Sequence, residues 1–133
     1  MFFGNPLNLF VLLLFAHYIA DYPLQGPFLS RIKNHRRGPT DVDIMEYPWK
    51  YGMTAHSGIH AGFVLLLTGS FVLSVVEFFL HFATDWLKNE GWIGYKTDQF
   101  IHVATKAIYV FILFFVPIMK FLTAMIIVSQ NVA

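Results

Sequence analysis

The sequence contains no cysteine and little charge. Without thiols it can build no disulfide framework, no cysteine-ligated zinc knot and no thiolate nucleophile. Asp, Glu, Lys and Arg together make up 13% of the 133 residues, about half the share that gives a soluble domain its hydrated skin. That shortage excludes an ordinary soluble enzyme and a disordered tail. A formal net charge of +1 supplies no global pull toward DNA or RNA, so no nucleic-acid partner is expected. The first apolar stretch lacks the positive flank and small-residue cleavage site of a signal peptide, so it is expected to be retained. What the chain has in abundance is apolar surface: 56% hydrophobic residues, 18% aromatics and fifteen Phe. The class is an integral membrane protein of a single domain.

The apolar residues fall into runs of bilayer length. Residues 5–22 form the first, stopped by Pro23 and Gly26-Pro27. Residues 23–53 read as a polar loop, with a basic knot (Arg31, Lys33, Arg36, Arg37) followed by Asp41, Asp43 and Glu46 and punctuated by Gly38-Pro39 and Tyr47-Pro48. From Thr54 to Trp86 the chain is again apolar. One helix over that region would be about 50 Å long, too long for a single crossing. A hairpin turning at Gly69-Ser70 gives two helices, 54–68 and 70–87, and is the preferred reading. A last helix spans 98–116, with a kinked extension 117–128 beginning at Pro117 and passing Lys120. The expected fold is an all-α membrane bundle of four helices.

Basic residues set the expected orientation. Arg31, Lys33, Arg36, Arg37 and Lys50 lie in the loop after the first helix, and Lys88 and Lys96 in the loop after the third. The positive-inside rule places both loops in the cytoplasm, and both termini and the hairpin turn outside. Trp49, Trp86 and Trp92, with Tyr18, Tyr22, Tyr47, Tyr51 and Tyr95, crowd the same boundary as an aromatic belt.

The polar residues inside these helices recur four apart: His17 and Asp21; His56 and His60; Glu77, His81 and Asp85, then Lys88; Asp98, His102 and Lys106. Residues four apart share one helix face. In the hairpin topology, helices one and three end where two and four begin, so the four stripes reach one depth. An ionisable group at the bilayer centre costs about 2.5–3.5 kcal/mol on insertion scales, so such groups face a bundle interior and carry function. Imidazole and carboxylate at this spacing suit a divalent transition metal, Zn²⁺ first, with Mn²⁺ or Fe²⁺ as alternatives. A metal with an open position lowers the pKa of bound water toward neutrality. One isolated His or Asp in such a helix more often serves as interhelical glue worth about 0.6–2 kcal/mol. Four convergent stripes favour the metal.

Together the motifs H-x-x-A-D-Y-x-L-Q at 17–25, H-x-x-x-H at 56–60, H-F-x-x-D-x-x-K at 81–88 and D-Q-x-x-H at 98–102 resemble the domain of unknown function 3307 family. The resemblance covers nearly the whole chain, apart from the insert 31–49. It implies a small bacterial or phage membrane protein, located in the inner membrane. More distantly the helices resemble those of membrane-bound metal-dependent hydrolases and of the zinc-dependent phospholipase C and single-strand nuclease group.

The sequence therefore predicts a metal held by His17, Asp21, His56, His60, His81, Asp85 and His102. Asp98 is expected as ligand, general base or orienting carboxylate, and Lys88 with the basic knot as a holder of substrate phosphate. The expected reaction is hydrolysis of a phosphoester or other ester at the cytoplasmic leaflet. Membrane lipids are the expected surroundings and a phospholipid or other phosphoester the expected substrate; the oligomeric state stays open. The alternative is a non-enzymatic protein that handles ions or protons, or alters the envelope, around a structural His/Asp cluster. His35 reads as a solvated loop residue and the Phe residues as lipid-facing or packing surface. Glu77 and Lys106 lie equally deep on antiparallel helices and are expected to form a buried ion pair rather than to bind metal.

Overall fold

The computed structural model describes residues 4–36 and 48–132, with side chains described for 4–36 and 49–117. Arg37, Gly38-Pro39, Asp41, Asp43, Glu46 and Tyr47 lie outside the described residues, and the Lys120 side chain lies outside the described side chains. Among the described residues the chain is all-helical: α1 (Pro6–Ile19), a π-helical turn (Ala20–Leu24), α2 (Gly26–Ile32), α3 (Pro48–Thr68), α4 (Phe71–Asn89) and α5 (Tyr95–Val132).

Asn5 starts α1, its Oδ1 accepting from the backbone N–H of Leu7 at 2.8 Å and of Asn8 at 3.2 Å, with Pro6 in the first turn. Near the other end Pro23 has no N–H to give and its ring crowds the carbonyl four residues back. The chain widens into the π turn there, and Asp21 sits within that turn. Gly26-Pro27, expected as a stop, begins α2 instead, because a proline in a first turn forfeits no intrahelical bond. The expected loop 23–53 is thus partly helical, and α3 starts at Pro48 rather than Thr54. Gly52 is what lets α2 and α3 meet: a Cβ there would lie 2.8 Å from Ile32 Cγ1 and 2.9 Å from the Lys33 nitrogen.

The chain reverses between α3 and α4 at Gly69, whose φ of +67° suits a residue without Cβ. Thr68 Oγ1 donates to the Val64 carbonyl at 2.7 Å and accepts from the Ser70 N–H at 3.1 Å, and Ser70 Oγ caps α4 through the Leu73 N–H. Ser74 then donates to the Ala61 carbonyl at 2.8 Å, tying the two helices side by side. The middle region is therefore a hairpin and not one long helix. Helix α5 runs on through Pro117.

Two stretches, Pro6–Leu24 and Tyr95–Pro117, are long and apolar enough to cross a membrane. Large apolar side chains face outward, including Phe15, Leu66, Phe71, Phe79, Phe100 and Phe111. Inside, the bundle has two layers. Leu9, Leu13, Val64, Leu73, Tyr109 and Val110 form an apolar layer near the Gly69 turn. Toward the other end buried polar side chains predominate: His17, His56, His60, His81, His102, Glu77, Asp85, Asp98, Lys33 and Lys106, with Lys88 half-buried beside them.

Candidate metal centre

Each stripe four residues apart is in contact within its own helix. His17 Nε2 lies 3.3 Å from Asp21 Oδ2, His81 Nε2 3.8 Å from Asp85 Oδ2, and His102 Nε2 3.5 Å from Asp98 Oδ1. The rings of His56 and His60 are 4.7 Å apart between centroids. Packing α1, α3, α4 and α5 together then merges the stripes. His60, His81 and His102 stack in a column, with centroids 3.6 and 4.2 Å apart, and His17 leans on its flank.

At the centre three imidazole nitrogens converge on one carboxylate oxygen. Asp21 Oδ1 lies 3.1 Å from His60 Nε2, 3.3 Å from His56 Nε2 and 4.0 Å from His81 Nε2, while His56 and His81 place their Nε2 atoms 3.1 Å apart. Donors bound at about 2.0–2.1 Å around a tetrahedral ion stand about 3.3 Å from one another. Three of these separations match that spacing, the fourth at 4.0 Å exceeds it, and all four atoms lie within 4.8 Å of one another, so they could hold an ion as a three-nitrogen, one-oxygen set. His81, Asp85 and His102 form a second close group that shares His81. The three imidazoles of the first group are at most 2% exposed; Asp21, at 11% of its side chain, is the most open of its four members.

Carboxylates around the centre are matched to ammoniums, with one exception. Asp85 takes Lys33 Nζ on Oδ2 at 2.5 Å and Lys88 Nζ on Oδ1 at 2.6 Å. Lys88 also grips both oxygens of Asp98, at 3.0 and 2.9 Å. Glu77 meets Lys106 at 2.5 Å, both fully buried, and the same Glu77 oxygen lies 3.6 Å from His81 Nδ1. Glu77 thus faces the back of a central imidazole without a hydrogen bond to it, His81 Nδ1 having no partner among the described residues. Among the described residues Asp21 has no ammonium partner. Its neighbours are His17, His56, His60 and Gln99, whose Nε2 donates to Oδ2 at 3.0 Å. Four carboxylates and three ammoniums leave this layer one positive charge short.

Of the residues expected in the site, Asp21, His56, His60 and His81 come together most closely. Asp85 and His102 adjoin them through His81. His17 touches Asp21 from outside the set, and its buried Nε2 has no hydrogen-bond partner among the described residues; nor does that of His102. Asp98 sits beside His102 at 3.5 Å without a hydrogen bond to it, clamped by Lys88 and Gln99. Lys88, expected to hold phosphate, is occupied by two carboxylates.

Four residues in or near the site have partners that the sequence does not announce. Lys33, expected in a basic knot that holds substrate phosphate, is buried and bonded to Asp85; burial pushes its pKa down while Asp85 opposes the shift. His35, taken as solvated, bonds Glu90 Oε1 at 2.5 Å and stacks on Trp86 beside Trp49. Arg36 joins the same carboxylate. The Arg36 hydrogen bond, then that of His35, holds Glu90 below the usual carboxylate range. Gln99 bridges Asp21 and Asp98, a role visible only as its place next to Asp98 in the D-Q-x-x-H motif. Comparison with protein-family models, with curated proteins and with solved structures finds no match.

Proposed function

We propose that this chain is a four-helix membrane protein that binds a divalent transition metal, zinc before manganese or iron, through Asp21, His56, His60 and His81. The observation that carries the reading is Asp21. Among the described residues it is the one carboxylate of the layer without an ammonium, and three imidazole nitrogens stand at ligand spacing from its oxygen or from each other. Nitrogen and oxygen donors without thiolate fit those metals. Glu77, 3.6 Å behind the ligand His81, would orient that ring if the two closed to hydrogen-bond distance on metal binding. In this reading α3 and α4 cross as a hairpin, the basic segments lie in the cytoplasm and the Gly69 turn lies outside. Membership of the domain of unknown function 3307 family belongs to the same proposal.

The reaction such a centre could serve is hydrolysis of a phosphoester or other ester at the cytoplasmic face, provided the ion adds a fifth position or releases Asp21, so that it could lower the pKa of water and polarise the ester oxygen. Asp21, the most open of the four ligands, is where substrate would arrive. A second reading, ion handling without catalysis, is favoured by a specific observation: Lys88 and Lys33, the lysines beside the Asp85 end of the centre, already hold carboxylates. Purified protein in detergent, loaded with Co²⁺, tests the metal through the intense visible bands of a tetrahedral site. Phosphatidylglycerol vesicles then separate the readings. Metal-dependent release of headgroup or diacylglycerol supports the hydrolase; metal flux into vesicles without turnover supports ion handling. Cysteines introduced at Ser70 and at Asn34 should label from outside and inside respectively.

A further inference from the structure

Asp85 shares the central imidazoles with Asp21 but is occupied. Its Oδ2 lies 3.4 Å from His56 Nε2 and 3.8 Å from His81 Nε2, facing the same two nitrogens as Asp21 Oδ1. That oxygen is the one capped by Lys33 Nζ at 2.5 Å. A metal ion on Oδ2 would therefore stand close to an ammonium on the same atom, in a site with little water to screen two positive charges.

Lys33 is held in place by its own segment. It follows the last turn of α2, donates its N–H to the Leu29 carbonyl at 3.0 Å and accepts from Asn89 Nδ2 at 3.3 Å. The backbone beside it lies against Gly52, with no room for a Cβ between. Two and three residues on, His35 and Arg36 close onto Glu90 of the α4–α5 connection. Helix α2 thus covers the end of the polar layer and inserts one ammonium into it.

Charge balance gives that ammonium a role. With a divalent ion added and Lys33 kept, four carboxylates face two metal charges and three ammoniums, an excess of one positive charge. With Lys33 released the layer is neutral. We infer that Lys33 is a tethered competitor cation and Asp85 a reserve ligand. A metal that takes Asp85 Oδ2 displaces the lysine, and α2 loosens from α3 and α4, so occupancy of the buried centre is reported by α2. The inference rests on the metal reading above and adds its regulation.

The test is Co²⁺ titration of the wild type, Lys33→Met and Asp85→Asn in detergent, with amide hydrogen exchange followed over residues 26–36. Lys33→Met should bind Co²⁺ about 10- to 100-fold more tightly, the scale on which groups behind the ligands tune metal affinity. In the wild type, Co²⁺ should speed exchange of the Lys33 amide; in Asp85→Asn it should not. Should Lys33→Met fail to fold, Lys33→Gln keeps a hydrogen-bond donor without the charge, and the wild-type exchange measurement needs no variant. Co²⁺ bound by the wild type with no change in α2 exchange, or with equal affinity in the lysine variant, overturns this inference and leaves the metal reading standing. No Co²⁺ binding by any of the chains overturns both.

Discussion

The two layers of the bundle are built from the same four helices and obey different rules. Near the Gly69 turn, Leu9, Leu13, Val64, Leu73, Tyr109 and Val110 fill space. In a bilayer they gain mainly by packing, because lipid is as apolar as leucine. At the other end, five imidazoles, three carboxylates and two ammoniums are shut away from water, with Asp21 and Lys88 partly open at the edge. Such a layer is favourable only if nearly every charge meets its opposite. Errors in the apolar layer should therefore be graded and local. Errors in the polar layer should be steep and should spread through shared partners.

The steepest break should come at the centre. Replacing Asp21 or His81 by Ala should abolish metal binding, measured as Co²⁺ absorbance, whereas Leu13→Ala should leave it intact. His35→Ala should also leave it intact, since that ring bonds Glu90 and stacks on Trp86 outside the ligand set.

Next in size is the Glu77–Lys106 pair. Glu77→Gln or Lys106→Met alone should cost about 3–5 kcal/mol, because one charge remains buried without its partner. The double variant should recover much of that in detergent unfolding. It should retain metal with affinity weakened about 10- to 100-fold through loss of the group behind His81. Loss of all metal from a folded double variant would make Glu77 a ligand. Leu13→Ala should cost less than the 2–5 kcal/mol or so seen in soluble cores, where burial from water adds to packing.

Gly52→Ala tests the α2–α3 approach. The new methyl would meet Ile32 Cγ1 and the Lys33 nitrogen at under 3 Å, and overpacking of this kind costs about 1–3 kcal/mol. Faster exchange in α2, with α4 unchanged, should accompany it.

The smallest effect should lie at Glu90. Its folded pKa is depressed by Arg36 and His35, so its contribution to stability is present above the ordinary glutamate value of about 4.3 and fades as pH falls through the lower folded value. Wild type and Glu90→Gln should differ in melting temperature at neutral pH and converge in acid. A constant difference across the range would assign the residue no ionic role.

The comparison of layers also shows which parts of this molecule are legible before folding. The i,i+4 stripes state their own geometry, because helical spacing alone puts His17 with Asp21 and His81 with Asp85. Antiparallel counting likewise brings Glu77 to Lys106, and Thr68-Gly69-Ser70 carries the turn and the cap that reverse the chain. What could not be read is tertiary. Lys33 reaches Asp85 and His35 reaches Glu90 across more than fifty residues, from a segment whose composition suggests solvated loop. Gly26-Pro27 has one meaning at the end of a helix and another at the start of the next. The π turn that carries Asp21 follows from Pro23 being accommodated rather than ending the helix.

Elemental analysis of protein purified without chelator, beside a His56→Ala/His60→Ala variant, tests the central claim most directly. The account predicts about one zinc, manganese or iron per chain in the wild type, as befits one tetrahedral ligand set, and none in the folded variant. A wild type without transition metal, still metal-free after dialysis against Zn²⁺, would contradict it and leave the polar layer as a network of hydrogen bonds and ion pairs.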